Sequence, residues 1–301
     1  MPCCWTVRRV GNIRVLGRGT LCLGPDYAFM VATASFILIG AVLFLVFTDG
    51  LVARILCAFV AAVTLSLMWR CSTMDPGICP KADAPPEGAP LHEPLLELVT
   101  YIDGSGQERK TRVERKWCYG CNNYRPLRAV HCRFCDACIT RRDHHCPWVG
   151  TCVGERNYRF YWGFLWAVLC LTLTVMIGGV ASLVKRSKAL SEEARDSGRS
   201  SFLAALAETH FVEPLLVLVA FLACCLVAPL TAYHTLLVAR NMTTVEEMRG
   251  NGGWMHYFNR GGCWENTRES LFSPVPPSMF ATEVGLCEPP AEVVVEAEEL
   301  S

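Results

Sequence analysis

The chain has 301 residues, 52% of them hydrophobic, with a mean hydropathy of +0.28 and a formal net charge of zero. Its apolar residues are clumped into long runs, which excludes an ordinary soluble globule. The balanced charge leaves no electrostatic footprint for nucleic acid.

In chain order, residues 1–27 read as a short cytosolic tail, turn-rich through Gly11, Gly17, Gly19 and Gly24-Pro25. Cys3 and Cys4, in a chain with 18 cysteines, are read as incidental. No secretory signal is expected, and the first apolar run serves as the insertion signal. Four runs are long enough to cross a bilayer as helices, at residues 28–47, 51–69, 160–184 and about 215–239. The last is expected to break at Pro229. Basic residues set the topology. The two tails and the stretch between spans two and three carry 22 Lys and Arg, against five in the loop at 185–214. Both termini and the central stretch are therefore expected in the cytosol.

The predicted order is a tail (1–27), spans one and two (28–69), a cytosolic linker (70–117), a Cys-rich domain (118–159), span three (160–184), a lumenal or extracellular loop (185–214), span four (215–240) and a cytosolic tail (241–301). Asp75-Pro76-Gly77 stops the second span. The prolines Pro80, Pro85, Pro86, Pro90 and Pro94 mark the linker. The run 95–102, the turn Asp103-Gly104-Ser105-Gly106 and the charged run 108–116 form a hairpin pattern.

The densest chemistry lies in the 35 residues from Cys118 to Cys152, which hold seven of the 18 cysteines and three of the seven histidines. The order is Cys118-x2-Cys121, nine residues, His131-Cys132-x2-Cys135-x2-Cys138, four residues, Asp143-His144-His145-Cys146, five residues, Cys152. Structural zinc takes four Cys or His ligands, often as Cys-x2-Cys knuckles. Two zincs use eight of the ten donors, and the natural pair to leave is His144 and Cys146, with Asp143 alongside. A thiol beside an imidazole and a carboxylate is the composition of an activated nucleophile, although a spare Cys beside His is often a plain buried thiol. An odd cysteine count and a cytosolic setting weigh against disulfides. Aromatics from Tyr158 to Trp166 crowd the entry to span three as an interfacial belt does, which sets Cys146 near the membrane surface. After span four, Thr243 with Glu246, or Thr244 with Glu247, caps a short helix.

The whole Cys-rich pattern resembles, residue for residue, the domain of the DHHC protein S-acyltransferases, the palmitoyltransferases. Asp75-Pro76-Gly77, Thr243-Thr244-Val245-Glu246 and Asn266 resemble that family's shorter motifs. The resemblance implies an all-α polytopic membrane protein of four spans, with a small cytosolic zinc domain between spans two and three. It implies one structural zinc on Cys118, Cys121, His131 and Cys138, and a second on Cys132, Cys135, His145 and Cys152. Cys146 would be the nucleophile, His144 its general base and Asp143 the group that orients His144. The implied reaction is a two-step ping-pong transfer of a palmitoyl group from acyl-CoA, through an acyl-enzyme, to cysteines of membrane-associated proteins. Arg141, Arg142 and Trp148 are candidate contacts for acyl-CoA, as is Arg133. Short apolar spans suit endoplasmic reticulum or Golgi membranes better than the plasma membrane. The glycine-rich start with Gly24-Pro25 resembles the subgroup that acylates Ras-like proteins, some of which need an accessory subunit. Two rivals share parts of the pattern. A RING-like zinc adaptor would end in another Cys-x2-Cys pair rather than Cys146-x5-Cys152. An acyl-protein thioesterase would use the same nucleophile and release free fatty acid.

Overall fold

The computed structural model describes residues 8–16, 21–83, 95–102, 107–193, 211–249 and 255–279. Cys3, Cys4, the prolines at 85–94, the turn at 103–106 and the acidic end of the chain lie outside them.

Four helices are long and apolar enough to cross a membrane: α1 (Tyr27–Phe47), α2 (Leu51–Thr73), α3 (Tyr158–Glu193) and α4 (Val212–Arg240). They make this a multi-pass integral membrane protein. Their outward faces stay apolar, as at Phe36, Ile39, Phe59, Ile177 and Leu226, because lipid rather than water covers them. The third helix packs along α2 and α4, with α1 against α2. A close approach explains two small residues of α3. A side chain at Gly178 would press on the Phe44 ring, and one at Gly179 on Val217. At Pro229 the structure differs from expectation, because α4 runs through it without interruption. Proline removes one N–H, but neighbouring helices and small backbone adjustments satisfy the freed carbonyl in an apolar bundle. The third helix also outruns its apolar stretch and carries Lys185, Arg186 and Lys188 on its last turns.

The other elements gather at one end of the bundle. The hairpin expected before the Cys-rich segment is present as β5 (Leu95–Ile102) and β6 (Glu108–Arg115), paired from Leu95 with Arg115 to Ile102 with Glu108. Short strands build the Cys-rich domain: β7 (Trp117–Cys118) with β8 (Asn123–Tyr124), β4 (Ile78–Cys79) with β10 (Ala137–Ile139) and β9 (Val130–Cys132), and β11 (His144–Cys146) with β12 (Thr151–Val153). These strands have two or three residues each, too few to hold together by ladder bonds alone.

Residues read as a tail have a structural role. Strands β1 (Arg8–Val10), β2 (Ile13–Leu16) and β3 (Leu21–Leu23) form an antiparallel sheet. Its Ile13, Val15 and Cys22 are buried against Cys132, Cys135, Ile139 and Cys152. Burying an Ile or Val contributes about 1.5–3 kcal/mol each. Gly11 makes the fit, since its φ is +57° and a Cβ there would overlap the Asp136 carbonyl.

Asp75-Pro76-Gly77 leads into β4. The Asp75 Oδ1 accepts the N–H groups of Gly77 and Ile78, both at 2.8 Å. Its Oδ2 accepts from Arg156, at 2.8 Å, and from the Ser278 hydroxyl, at 2.6 Å. The turn that ends α2 therefore also holds the domain and the C-terminal segment.

Candidate functional site

Two groups of four ligands converge in the domain: Cys118, Cys121, His131 and Cys138, and then Cys132, Cys135, His145 and Cys152. These are the two sets that the family resemblance implies. In the first, His131 Nδ1 lies 3.5, 3.4 and 3.9 Å from the sulfurs of Cys118, Cys121 and Cys138. In the second, His145 Nδ1 lies 3.7, 3.3 and 3.5 Å from those of Cys132, Cys135 and Cys152. A tetrahedral ion with Zn–S and Zn–N bond lengths sets N and S about 3.6 Å apart, so both donor sets fit a metal ion. Three thiols crowded to this distance can all ionise only around a cation.

The ligand His145 has a partner that composition did not reveal. Its Nε2 lies 3.0 Å from Asp26 Oδ2, and Asp26 directly precedes α1. A carboxylate on the outer nitrogen fixes the ring and raises its basicity. Asp26→Asn is expected to weaken the second site's metal affinity by about 10–100-fold and leave the first unchanged. Chelator competition on the two sites would check this.

Strand alternation separates the two adjacent histidines. Residues of β11 face alternate sides. His145 pairs with Cys152 across the β11–β12 ladder and faces the metal cluster, while His144 and Cys146 face the other way. The 3-10 turn at Pro147–Val149 joins the two strands and packs on the start of α1. On that second face Cys146 is only 6% exposed. It packs with Met30, Met68, Cys71, Tyr161 and Phe164, drawn from α1, α2 and α3. The sulfur thus sits where the domain meets the apolar top of the bundle.

His144 lies on the same face of β11 as Cys146, and its Nδ1 is 2.6 Å from Asp143 Oδ2. Burial would lower the His144 pKa, but the hydrogen bonds to Asp143 and Cys146 outweigh it and hold the imidazole at about 9. Asp143 is fully buried. Burial would raise its carboxyl, but His144, His234 and Thr244 together hold it below the ordinary carboxylate range.

Thr244 reaches Asp143 from 101 residues away. Its backbone N–H donates to Oδ1 and its hydroxyl to Oδ2, both at 2.8 Å. Of the two capping arrangements the sequence allowed, Thr243 with Glu246 forms the capping box on helix α5 (Thr244–Met248). That leaves the Thr244 hydroxyl free for Asp143. Glu246 takes Arg128 Nε and Nη2 at 2.6 and 2.7 Å, and Arg128 Nη2 donates to the Asn241 carbonyl at 2.9 Å. The Arg128 side chain is 8% exposed and that of Glu246 17%. Arg128→Ala is expected to cost about 3–5 kcal/mol, because it leaves a mostly buried carboxylate alone. Burial raises the Glu246 carboxyl, but Arg128 more than offsets this and holds it low. The tie is therefore complete at neutral pH and is lost as pH falls through the folded-state value. Thermal melts of both forms across acid pH would show the difference.

Asn266, singled out in the sequence, donates to the Ala239 carbonyl at 2.9 Å and accepts from the Arg260 N–H at 2.8 Å. It anchors helix α6 (Cys263–Thr267) to the end of α4. Of the candidate acyl-CoA contacts, Trp148 is exposed and Arg142 lies against the Cys132 and Cys152 thiols. Arg141 is engaged within the chain by Asn241, at 2.5 Å, and by the Ser270 hydroxyl, at 2.8 Å. Arg133 lies over the Phe134 ring, which stacks on His145. His234 of α4 was not foreseen. It is buried, its ring is 5.6 Å from that of His144, and its Nδ1 is 3.1 Å from the Tyr158 hydroxyl. A lone histidine in an apolar run gives no sequence signal.

A four-span bundle is thus capped by two Cys/His clusters that could each hold a metal ion, with an Asp-His-Cys group at the junction. Residues 111–251 match the family model described as DHHC palmitoyltransferase. The chain is 32% identical to palmitoyltransferase ZDHHC9 of Homo sapiens over 233 residues, 72% of this chain and 60% of that protein. It is 31% identical to palmitoyltransferase ZDHHC18 of Mus musculus over 297 residues, 90% of this chain and 73% of that one. It is also 31% identical to probable protein S-acyltransferase 6 of Arabidopsis thaliana over 285 residues, 87% and 65% of the two chains. The chain belongs to the DHHC palmitoyltransferase family. It spans about 60% of the length of the ZDHHC9 relatives.

Proposed function

We propose that the protein is a protein S-palmitoyltransferase. The observation that carries this reading is the placement of Cys146. It lies on the same face of β11 as His144, whose Nδ1 is 2.6 Å from Asp143, and is packed into the apolar residues at the top of the bundle.

His144 holds the Cys146 proton as an imidazolium–thiolate pair, in keeping with its raised value, and the thiolate attacks the thioester carbonyl of a long-chain acyl-CoA. The carbonyl–CoA sulfur bond breaks, and CoA leaves with the proton that His144 returns. A cysteine thiol of a membrane-associated protein, deprotonated in turn by His144, then attacks the acyl-enzyme and releases Cys146. One thioester replaces another at each step, so no energy source is needed. The acyl chain enters the bundle, where each buried CH₂ contributes about 0.8 kcal/mol and holds the carbonyl beside Cys146. Arg142 and Trp148 contact the acyl-CoA, with Arg141 acting through Asn241 and Ser270. Each cluster would hold a structural Zn²⁺; the second, through His145 and Cys152, would fix β11 and β12, and neither ion would take part in the transfer. Both termini and the Cys-rich domain face the cytosol of an endomembrane, endoplasmic reticulum or Golgi, where the substrate cysteines are. An accessory subunit belongs to this reading if the chain acts with the Ras-acylating subgroup.

The test is incubation of the detergent-solubilised protein with labelled palmitoyl-CoA. A hydroxylamine-labile label on the protein, with one CoA released per label, is the expected result. Free fatty acid as the main product would identify a thioesterase instead. No label on folded, zinc-loaded protein, with or without an added subunit, would favour the adaptor reading.

A further inference from the structure

Asp143, His144 and His234 each offer one ligand atom, and these atoms lie within 4.8 Å of one another. None of the three belongs to either four-ligand cluster. We propose that they form a third, regulatory site for a borderline divalent transition-metal ion, Zn²⁺ in the first instance, whose occupancy switches the nucleophile off. The switching role rests on the acyl-transfer reading of Cys146.

Two histidines and a carboxylate, with a fourth position open, make the ligand set of exchangeable rather than closed zinc sites. Tetrahedral Zn–N and Zn–O bonds place ligand atoms about 3.3 Å apart. Here Asp143 Oδ2 lies 2.6 Å from His144 Nδ1 and 4.0 Å from His234 Nδ1. One separation is short by roughly 0.7 Å and the other long by a similar amount, so binding needs small rotations of both rings about Asp143 and release of the Tyr158 hydroxyl from His234 Nδ1. Asp143 is fixed, because Thr244 holds both its oxygens. That is the outer-shell support that ligating carboxylates require. The side chains of Asp143 and His234 are 0% and 3% exposed, whereas that of His144 is 26% exposed. An ion therefore enters past His144. Once bound, it claims the imidazole and carboxylate that Cys146 depends on. His234 distinguishes this role from catalysis, since it takes no part in the proton transfers proposed above. Without it, only two neighbouring ligands remain.

The test uses the full chain in detergent with its two Cys/His clusters loaded. Binding of Zn²⁺ is measured by equilibrium dialysis at buffered free concentrations, and acyl-enzyme formation is followed in parallel. Wild type is expected to bind a third ion that a mild chelator removes while two stay. Acylation should fall as the third ion binds and recover on chelation. His234→Gln and His234→Asn are expected to hold two ions, which reports an intact domain, and to raise the inhibiting Zn²⁺ concentration at least ten-fold. Saturation of wild type at two ions, or a third ion kept by both variants, would overturn the proposal. A wild type that binds the third ion but forms no thioester at any Zn²⁺ level would remove the acyl-transfer reading instead.

Discussion

Cys146→Ser is expected to keep the fold and both metal clusters and to lose the acyl label. A hydroxyl is close to the thiol in size, and His144 remains as its hydrogen-bond partner, so the change in stability should stay below about 2 kcal/mol. Reactivity changes far more, because the serine hydroxyl ionises much less readily than a thiol. Loss of the nucleophile should lower acyl-enzyme formation by about 10³-fold or more. The measurement is label per protein on a non-reducing gel, beside the zinc content and melting temperature of the same samples. Equal labelling of wild type and variant would place acylation on another cysteine and sink the role assigned to Cys146.

Cys135→Ala is expected to unfold the Cys-rich domain rather than soften it. Cys135 is fully buried, and its sulfur lies 3.3 Å from His145 Nδ1 and 3.5 Å from that of Cys152. The apparent binding free energy of a structural zinc is about 10–16 kcal/mol, as large as the whole stability of an ordinary domain, which is about 5–15 kcal/mol. Strands of two or three residues offer little to replace it. The N-terminal sheet should detach as well, because Ile13, Val15 and Cys22 rest on this cluster. The expected signature is loss of the domain's cooperative melting transition, together with protease access near Arg14. An unchanged melt with both ions retained would show that this cluster does not hold the domain together.

The spans, the hairpin and the ten donors were legible in the sequence because each depends on local composition or spacing. The division of donors was not, since the two clusters interleave and spacing alone permits other pairings. The opposite facing of His144 and His145 follows from one fact, that they lie on a strand, which the sequence does not announce. Asp26, Thr244 and His234 were missed as site residues for a common reason. Each meets its partner only through tertiary packing, across 119, 101 and 91 positions, respectively, of the chain. The short motifs stood out by residue type, but their partners did not. Asp75 holds Arg156 and Ser278, Glu246 holds Arg128, and Asn266 holds the end of α4. Strands β1–β3 escaped because runs of three or four residues with interspersed arginines look like any tail.

The Thr244 contact makes the last span a lever. Thr244 lies four residues beyond the end of α4, and Arg128 pins Glu246 in the same turn. A helix of 29 residues in a thin bilayer tilts to bury its apolar length, and in a thicker one it stands upright. Because Thr244 holds both oxygens of Asp143, either movement would carry the carboxylate with it. Hydrocarbon thickness would thereby reach the orientation of His144, and labelling of the chain is expected to differ between membranes that differ only in acyl-chain length.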